Sequence, residues 1–326
     1  MSGLPYLDAD AVARLVPAAR AVQLLEDALR AGLDPEETPR RPVVELPAGQ
    51  LLLMPAAFGR YAGVKAATVA PGNAARGLPR IQGTYLLYDG ETLTPLAAMD
   101  GIALTSLRTP AVSALAVRHL AAPGAGDLVV FGTGPQAWGH VLAFGEVRPL
   151  RRVTVVGRDP ARVQAFAARC ADLGLETAAL TARPQEPGSP ARVTDEVAEA
   201  VRGADLIACC TTAREPLFPG GLVRDGATVV AIGSHEPDAR ELDGDLMARS
   251  TVVVEARTAA LAEAGDVVIP ISHGTITTHH LAGDLADLVA GRVAAGAGPR
   301  VFKGTGMAWE DLVVAAAAYE AWHGET

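Results

Sequence analysis

The sequence predicts an α/β chain built as two domains, on three observations. From Asp127 to Glu255, strand-like and helix-like patterns alternate, as a parallel sheet with crossover helices requires. Ahead of that, between Pro39 and Tyr88, short β-like runs separated by Pro- and Gly-containing turns suggest a small sheet of a different kind. A length of 326 residues, 49% of them hydrophobic, suits two domains with sizeable cores.

Taken in order, the first element is an amphipathic helix over 17–31, where Ala18, Val22, Leu25 and Leu29 recur at helical spacing and Gly32 offers a stop. The β-like runs are 43–46, 51–54, 63–66 and 84–88. After Asp100-Gly101, residues 104–120 read as a helix, with Thr109 as its cap and Pro110 at its first position. Candidate strands of the second domain are 128–131, 153–156, 205–210, 228–232 and 251–255. The Pro- and Gly-rich stretch 182–192 is expected to be a surface loop. Residues 307–322 form a helical pattern that no strand follows, so it is expected to return and pack on the first domain. The expected division is 1–120 with 305–326, a smaller α+β domain, and 121–304.

Charge and composition narrow the function. Lys plus Arg total 28 against 37 Asp plus Glu, a net of −9 with no basic tract, which argues against a nucleic-acid partner. The apolar runs are short and interrupted, and no basic segment precedes an apolar one at the N-terminus; neither a membrane span nor a signal peptide is expected, and the expected location is the cytoplasm. Cys170, Cys209 and Cys210 lack metal spacing and read as reduced thiols. His273, His279 and His280 have no companion ligands nearby and read as loop histidines, so no metal is expected.

The most informative stretch is Leu128-Val129-Val130-Phe131-Gly132-Thr133-Gly134-Pro135-Gln136-Ala137, which reads as a strand, a tight turn and a helix start. Gly132 would make the turn, Gly134 would admit a pyrophosphate, and Ala137 would let helix pack on strand. The helix N-terminus, with Pro135 and Gln136 in its first turn, presents N–H groups and a positive dipole end to phosphates. This is the fingerprint of a Rossmann dinucleotide-binding domain. The second strand ends in Gly157-Arg158-Asp159, where such domains read the adenosine ribose. Glycine leaving room and arginine offering a bidentate partner to a 2′-phosphate favour NADP(H), with NAD(H) through Asp159 as the lesser alternative. Thr211 and Gly233, at carboxyl ends of strands, and Thr109 are further cofactor-binding candidates.

The first domain holds three cations on unconnected segments: Arg41 at a strand start, Lys65 inside an apolar strand, and Arg108 immediately before a helix. Three such groups are suited to converge on one carboxylate. His235, in the loop Gly233-Ser234-His235-Glu236-Pro237-Asp238 after a parallel strand, is suited to exchange protons near neutral pH.

Together these residues resemble the ornithine cyclodeaminase and mu-crystallin family. The likeness runs through Gly63-Val64-Lys65, Leu104 to Ala114, Gly132 to Ala137, Gly233 to Asp243, Glu263 to Asp266 and Phe302 to Asp311, nearly the whole chain. The resemblance implies a homodimer built through the first domain and an active site in the cleft between the domains. It also implies that Arg41, Lys65 and Arg108 bind the substrate α-carboxylate and that Gln82 and Thr84 lie on the strand lining that pocket. Two positions depart from the family pattern. Pro110 replaces a usual alanine, and His235 stands where cyclodeaminases carry an aspartate that handles the side-chain amine.

The resulting expectation is an NAD(P)H-dependent oxidoreductase reducing an imine that bears an α-carboxylate, or running the reverse amino-acid dehydrogenation. Lys65, His235 or a water would supply the proton. An ornithine- or lysine-type cyclodeaminase, an alanine dehydrogenase-like activity, and an NADPH-dependent binding protein without turnover are the alternatives. Glu310 and Asp311 read as complements to a helix dipole, and Phe302-Lys303 as a connection between domains.

Overall fold

A computed structural model describes residues 3–182 and 191–325, so most of the expected loop at 182–192 lies outside the described residues. The chain divides into two compact units, Met1–Val112 with Met307–Thr326, and Ser113–Gly306.

The first unit opens with β1 (Tyr6–Leu7), α1 (Ala9–Leu15) and α2 (Ala18–Arg30). Helix α2 buries Ala21, Val22, Leu25, Ala28 and Leu29 along one stripe, and Gly32 at φ +97° ends it as a left-handed residue would. Then come β2 (Val43–Leu46), β3 (Gly49–Phe58), β4 (Tyr61–Val69), β5 (Ile81–Asp89) and β6 (Pro95–Asp100). They form a sheet in the order β1-β6-β5-β4-β3-β2, antiparallel except for β1 beside β6. Side chains alternate between its faces. One face carries the cross-strand row Met54, Lys65, Tyr85 and Met99, all buried; the other carries rows such as Pro55, Val64, Leu86 and Ala98, half-buried.

Helix α3 (Gly101–Leu120) begins earlier than the sequence suggests. The Asp100 carboxylate accepts the N–H groups of Ile102 and Ala103 at 2.8 and 2.9 Å, so the cap is Asp100 and not Thr109. Thr109 and Pro110 sit inside the helix, and Arg108 is in its middle rather than ahead of it.

The second unit alternates strand and helix: β7 (Asp127–Phe131), α4 (Pro135–Gly145), β8 (Arg152–Gly157), α5 (Pro160–Ala171), β9 (Glu176–Thr181), α6 (Asp195–Gly203), β10 (Leu206–Cys209) and β11 (Thr228–Ala231). It continues with α7 (Gly244–Arg249), β12 (Thr251–Val254), α8 (Arg257–Glu263), α9 (Gly265–Ser272), β13 (Leu281–Asp284), α10 (Leu285–Val289) and β14 (Arg300–Lys303). The eight strands are all parallel, in the order β13-β12-β14-β11-β10-β7-β8-β9. Strands β10 and β11 are buried at every position, as strands covered on both faces must be. Phe302-Lys303 therefore belongs to a central strand between β11 and β12, a correction to its expected role as a connection.

The last helix, α11 (Ala308–Glu325), returns to the first unit and packs on α2, β3 and β4.

Candidate functional site

Two of the three cations, Lys65 and Arg108, meet at the N-terminus of α11. Lys65 Nζ donates to Asp311 Oδ2 at 2.7 Å and to Thr105 Oγ1, on α3, at 2.9 Å. Arg108 donates from Nη1 to Glu310 Oε2 at 2.6 Å and from Nε to Asp311 Oδ1 at 3.4 Å. All four charged side chains are at most 5% exposed. Glu310 and Asp311 thus do more than complement a dipole: they are the buried counter-charges of the two predicted carboxylate binders.

Burial decides the electrostatics of this group. Taking the Lys65 ammonium out of water pulls its pKa down from 10.5 to about 8, with Arg108 adding to the fall and Asp311 and Glu310 opposing it. The Tyr85 phenol, beside Lys65 in its row, is pushed well above 10 by burial and then by Asp311. Its hydroxyl has no hydrogen-bond partner among the described residues and lies over Gly63, where a built Cβ would stand 2.0 Å from it. Glycine in Gly63-Val64-Lys65 is therefore required by Tyr85.

The other predicted substrate residues are placed differently. Arg41 is half-buried two residues ahead of β2; the β2–β3 register, continued by the Leu53 N–H to Pro42 O bond of 3.0 Å, sets it opposite Met54 in the Lys65 row. Gln82 and Thr84 are exposed and pair with Thr68 and Ala66, on the sheet face opposite to Lys65. This corrects the expectation that they line the same pocket, and strand alternation is the cause.

In the second unit the glycine turn has the form a dinucleotide needs. Gly132 is at φ +110°, and a Cβ there would lie 2.5 Å from the Cys210 carbonyl oxygen, so only glycine makes this turn. At Gly134 a Cβ would meet nothing within 4 Å, and no side chain caps α4. Open space in front of uncapped N–H groups, with Pro135 and Gln136 in the first turn and buried Ala137 packed behind, fits a pyrophosphate.

At the end of β8, Gly157 has a packing reason, because a Cβ would press on Val163 Cγ2 at 2.8 Å; it leaves no extra room for a phosphate. Asp159 caps α5 by accepting the N–H groups of Ala161 and Arg162. Arg158 is exposed and has no partner among the described residues.

Thr211 and Gly233 turn out to be tied to the protein itself. Glu241, fully buried, accepts the Thr211 N–H and hydroxyl through Oε1 at 2.8 and 2.7 Å and the Gly233 N–H through Oε2 at 2.7 Å, linking the ends of β10 and β11. Those donors are spent, so the two residues hold loops in place rather than offering donors to a coenzyme. Burial raises the Glu241 pKa, which Lys303 opposes. Asp266 accepts the N–H groups of Glu241 and Leu242, both at 2.8 Å, and pairs with Lys303 at 3.0 Å; Lys303 also donates to Ser234 O at 2.6 Å. His235 stands exposed on the loop these bonds secure.

The sequence gives Glu310 and Asp311 only a dipole role and Lys303 only a connecting one, and Thr105 and Glu241 are not singled out. A usable signal existed for two of them: Glu310-Asp311 lies between Trp309 and Leu312-Val313-Val314, an acidic pair in an otherwise apolar helix start. Among the described residues no group of His, Cys, Asp or Glu is arranged to hold a metal ion, and no helix is long and apolar enough to cross a membrane.

The chain is 36% identical over 266 residues to the ketimine reductase mu-crystallin of Rattus norvegicus, spanning 79% of this chain and 75% of that one. Its structure is similar to that of Thermococcus litoralis Δ1-pyrroline-2-carboxylate reductase in complex with NADH and L-proline, with a TM-score of 0.89 and 30% identity over 99% of this chain and 98% of that one. It is also similar to an archaeal alanine dehydrogenase dimer with bound NAD, with a TM-score of 0.88 and 27% identity over 99% and 97%. The model of the ornithine cyclodeaminase/mu-crystallin family matches residues 8–326, and the chain belongs to that family.

Proposed function

We propose that the protein is an NAD(P)H-dependent oxidoreductase that reduces an imine bearing an α-carboxylate, or oxidises the corresponding amino acid. The observation that carries this reading is the buried Lys65–Arg108 pair, held on Asp311 and Glu310 in the first unit. Bound nicotinamide coenzyme supplies the hydride that adds to the imine carbon. The remaining work falls to the chain. Arg108 and Arg41 hold the substrate carboxylate, which fixes the reacting carbon so that little orientational freedom is lost in the transition state. Lys65 or His235 handles the proton on nitrogen. The activities for which these relatives are named, ketimine reduction and pyrroline-2-carboxylate reduction, are of this class.

His235 disfavours the cyclodeaminase reading, because a histidine offers no anion to hold a substrate side-chain amine. NADP(H) is the favoured coenzyme. Arg158 is exposed and unengaged, while the Asp159 carboxylate is spent on capping α5.

A homodimer is part of the same proposal. The outer face of the first sheet carries Val44, Leu51, Leu53, Val64 and Leu86 on registered rows; the last four are half-buried and Val44 is 45% exposed. A second copy covering that face would remove this apolar surface from water. The thiols are free, and burial pushes those of Cys209 and Cys210 well above their usual range, which suits the cytoplasm.

The test is a panel of cyclic and linear imino acids assayed with NADPH and NADH. Reduction of at least one is expected, with NADPH preferred; Arg158→Ala should cut that preference by about tenfold, the equivalent of ~1.4 kcal/mol. Release of ammonia from ornithine or lysine without net coenzyme change would instead establish a cyclodeaminase. An unchanged preference in the variant would return the assignment to NAD.

A further inference from the structure

The chain has 28 cationic residues, of which only Lys65 and Lys303 are lysines; the rest are arginines. Arginine serves wherever a fixed positive charge is enough, since it keeps its proton under all ordinary conditions, whereas lysine can give its proton up. Both lysines are buried. Lys303 is placed between Asp266 and the Ser234 carbonyl, where it anchors a loop. Lys65 has a different environment.

An ammonium has three N–H donors. One of those on Lys65 goes to Asp311 Oδ2 and a second to Thr105 Oγ1, and the third has no acceptor among the described residues. The Thr105 hydroxyl gives its own hydrogen to the Gly101 carbonyl at 2.8 Å, so toward Lys65 it can only accept. With two of three tetrahedral positions fixed, the direction of the third is fixed as well. A buried donor without a partner is costly unless a ligand completes it. Asp311 also accepts from Arg108 Nε, which places the ammonium and the guanidinium on one rigid carboxylate.

We propose that Asp311 and Thr105 are positioning residues that aim the free N–H of Lys65 at the substrate nitrogen, making Lys65 the proton donor in imine reduction. The proposal rests on the imine-reducing reading above. As hydride forms the new C–H bond, the C=N π pair moves to nitrogen and takes the Lys65 proton; the Nζ–H bond breaks, its electron pair stays on Nζ, and a solvent proton restores the ammonium. In the reverse direction neutral Lys65 takes the proton back. The charged groups acting on Nζ are Asp311 and Glu310 on α11 and Arg108 on α3, and Tyr85 on β5 is its cross-strand neighbour. They leave its pKa at about 8, within reach of both protonation states near neutral pH.

Two lysines make the test direct, because ¹³C-lysine labelling of the full chain yields two side-chain signals. In Asp311→Asn the Lys65 titration midpoint is expected to fall by about one pH unit or more, since a stabilising anion is lost while the shape is kept. The alkaline limb of kcat for imine reduction should move with it, kcat should drop by about tenfold or more, and KM should change far less. Asp311→Glu should restore the midpoint. Thr105→Val should lower kcat several-fold with a smaller shift of the midpoint. An unmoved midpoint in Asp311→Asn, or kcat and KM changing together with no displacement of the limb, would overturn the proposal. Should Asp311→Asn fail to fold, an unchanged kcat in Thr105→Val overturns it alone. A wild-type chain that reduces no imino acid overturns the functional reading together with this step, whereas an active wild type with an unmoved limb overturns only this step.

Discussion

Two helix N-termini in this molecule solve the same problem in opposite ways. Each leaves N–H groups unpaired and a positive dipole end exposed. At α4 the cap position is Gly134, which has no side chain to make a cap bond, and among the described residues nothing lies within 4 Å of where its Cβ would be. At α11 the first turn carries its own carboxylates, Glu310 and Asp311, both fully buried and already paired with Arg108 and Lys65. On the proposed reading the first end is kept for the phosphates of the coenzyme, whereas the second holds two cations. The proposal thus gives the open terminus to the ligand and makes the self-satisfied one a frame for Lys65 and Arg108.

The contrast is broken most severely at α11. Arg108→Ala leaves Glu310 buried without the cation it pairs with, and breaking a buried pair from one side costs about 3–5 kcal/mol. Chemical denaturation should show that loss, and turnover should vanish. Affinity for NADPH should stay within about twofold, because the Gly132–Ala137 turn proposed to take the phosphates belongs to the other unit. Combining Arg108→Met with Glu310→Gln removes charge from both sides and should recover much of the stability but none of the turnover. Equal loss of stability in the single and double variants would show that the frame is not electrostatic.

The opposite pattern is expected at α4. Gly134→Ala adds a Cβ that meets no protein atom, at a backbone φ of −89° that any residue adopts. Its unfolding free energy should move by less than about 0.5 kcal/mol, as at an ordinary surface position. Its affinity for NADPH should nevertheless fall by about tenfold or more, the equivalent of ~1.4 kcal/mol. A variant that binds coenzyme normally would mean the open space at Gly134 is not where the pyrophosphate lies.

The same contrast explains what could be read from the sequence. The turn at Gly132 and Gly134 is legible because its signal is local: a strand, glycines at fixed offsets and a helix start lie within ten consecutive residues. Glu310 and Asp311 are not, since acidic residues in a first turn look alike whether water or Lys65 faces them. Only the return of α11 onto β3 and β4 buries them. Strands β13 and β14 escaped notice because four residues such as Arg300-Val301-Phe302-Lys303, charged at both ends, show no periodicity; burial inside a parallel sheet makes them strands. The placement of Gln82 was readable in principle. Tyr85 and Leu87 are apolar and buried, so alternation along β5 sends Gln82 and Thr84 to the other face.

The smallest effect sharpens the coenzyme assignment at a third helix start, that of α5. Here the cap is a side chain, Asp159, accepting from Ala161 N at 3.0 Å and Arg162 N at 3.3 Å. Asp159→Ala should cost about 1 kcal/mol, the usual loss for an N-cap. Because that carboxylate is occupied by the helix, removing it should leave the ratio of NADPH to NADH activity unchanged, and Asp159→Asn, which still caps, should restore the stability. Parallel melting curves and coenzyme titrations of the two variants check both halves. If NADH activity alone collapses in both, the carboxylate leaves its cap to hold a ribose hydroxyl, and the terminus of α5 joins that of α4 as a surface kept for the ligand.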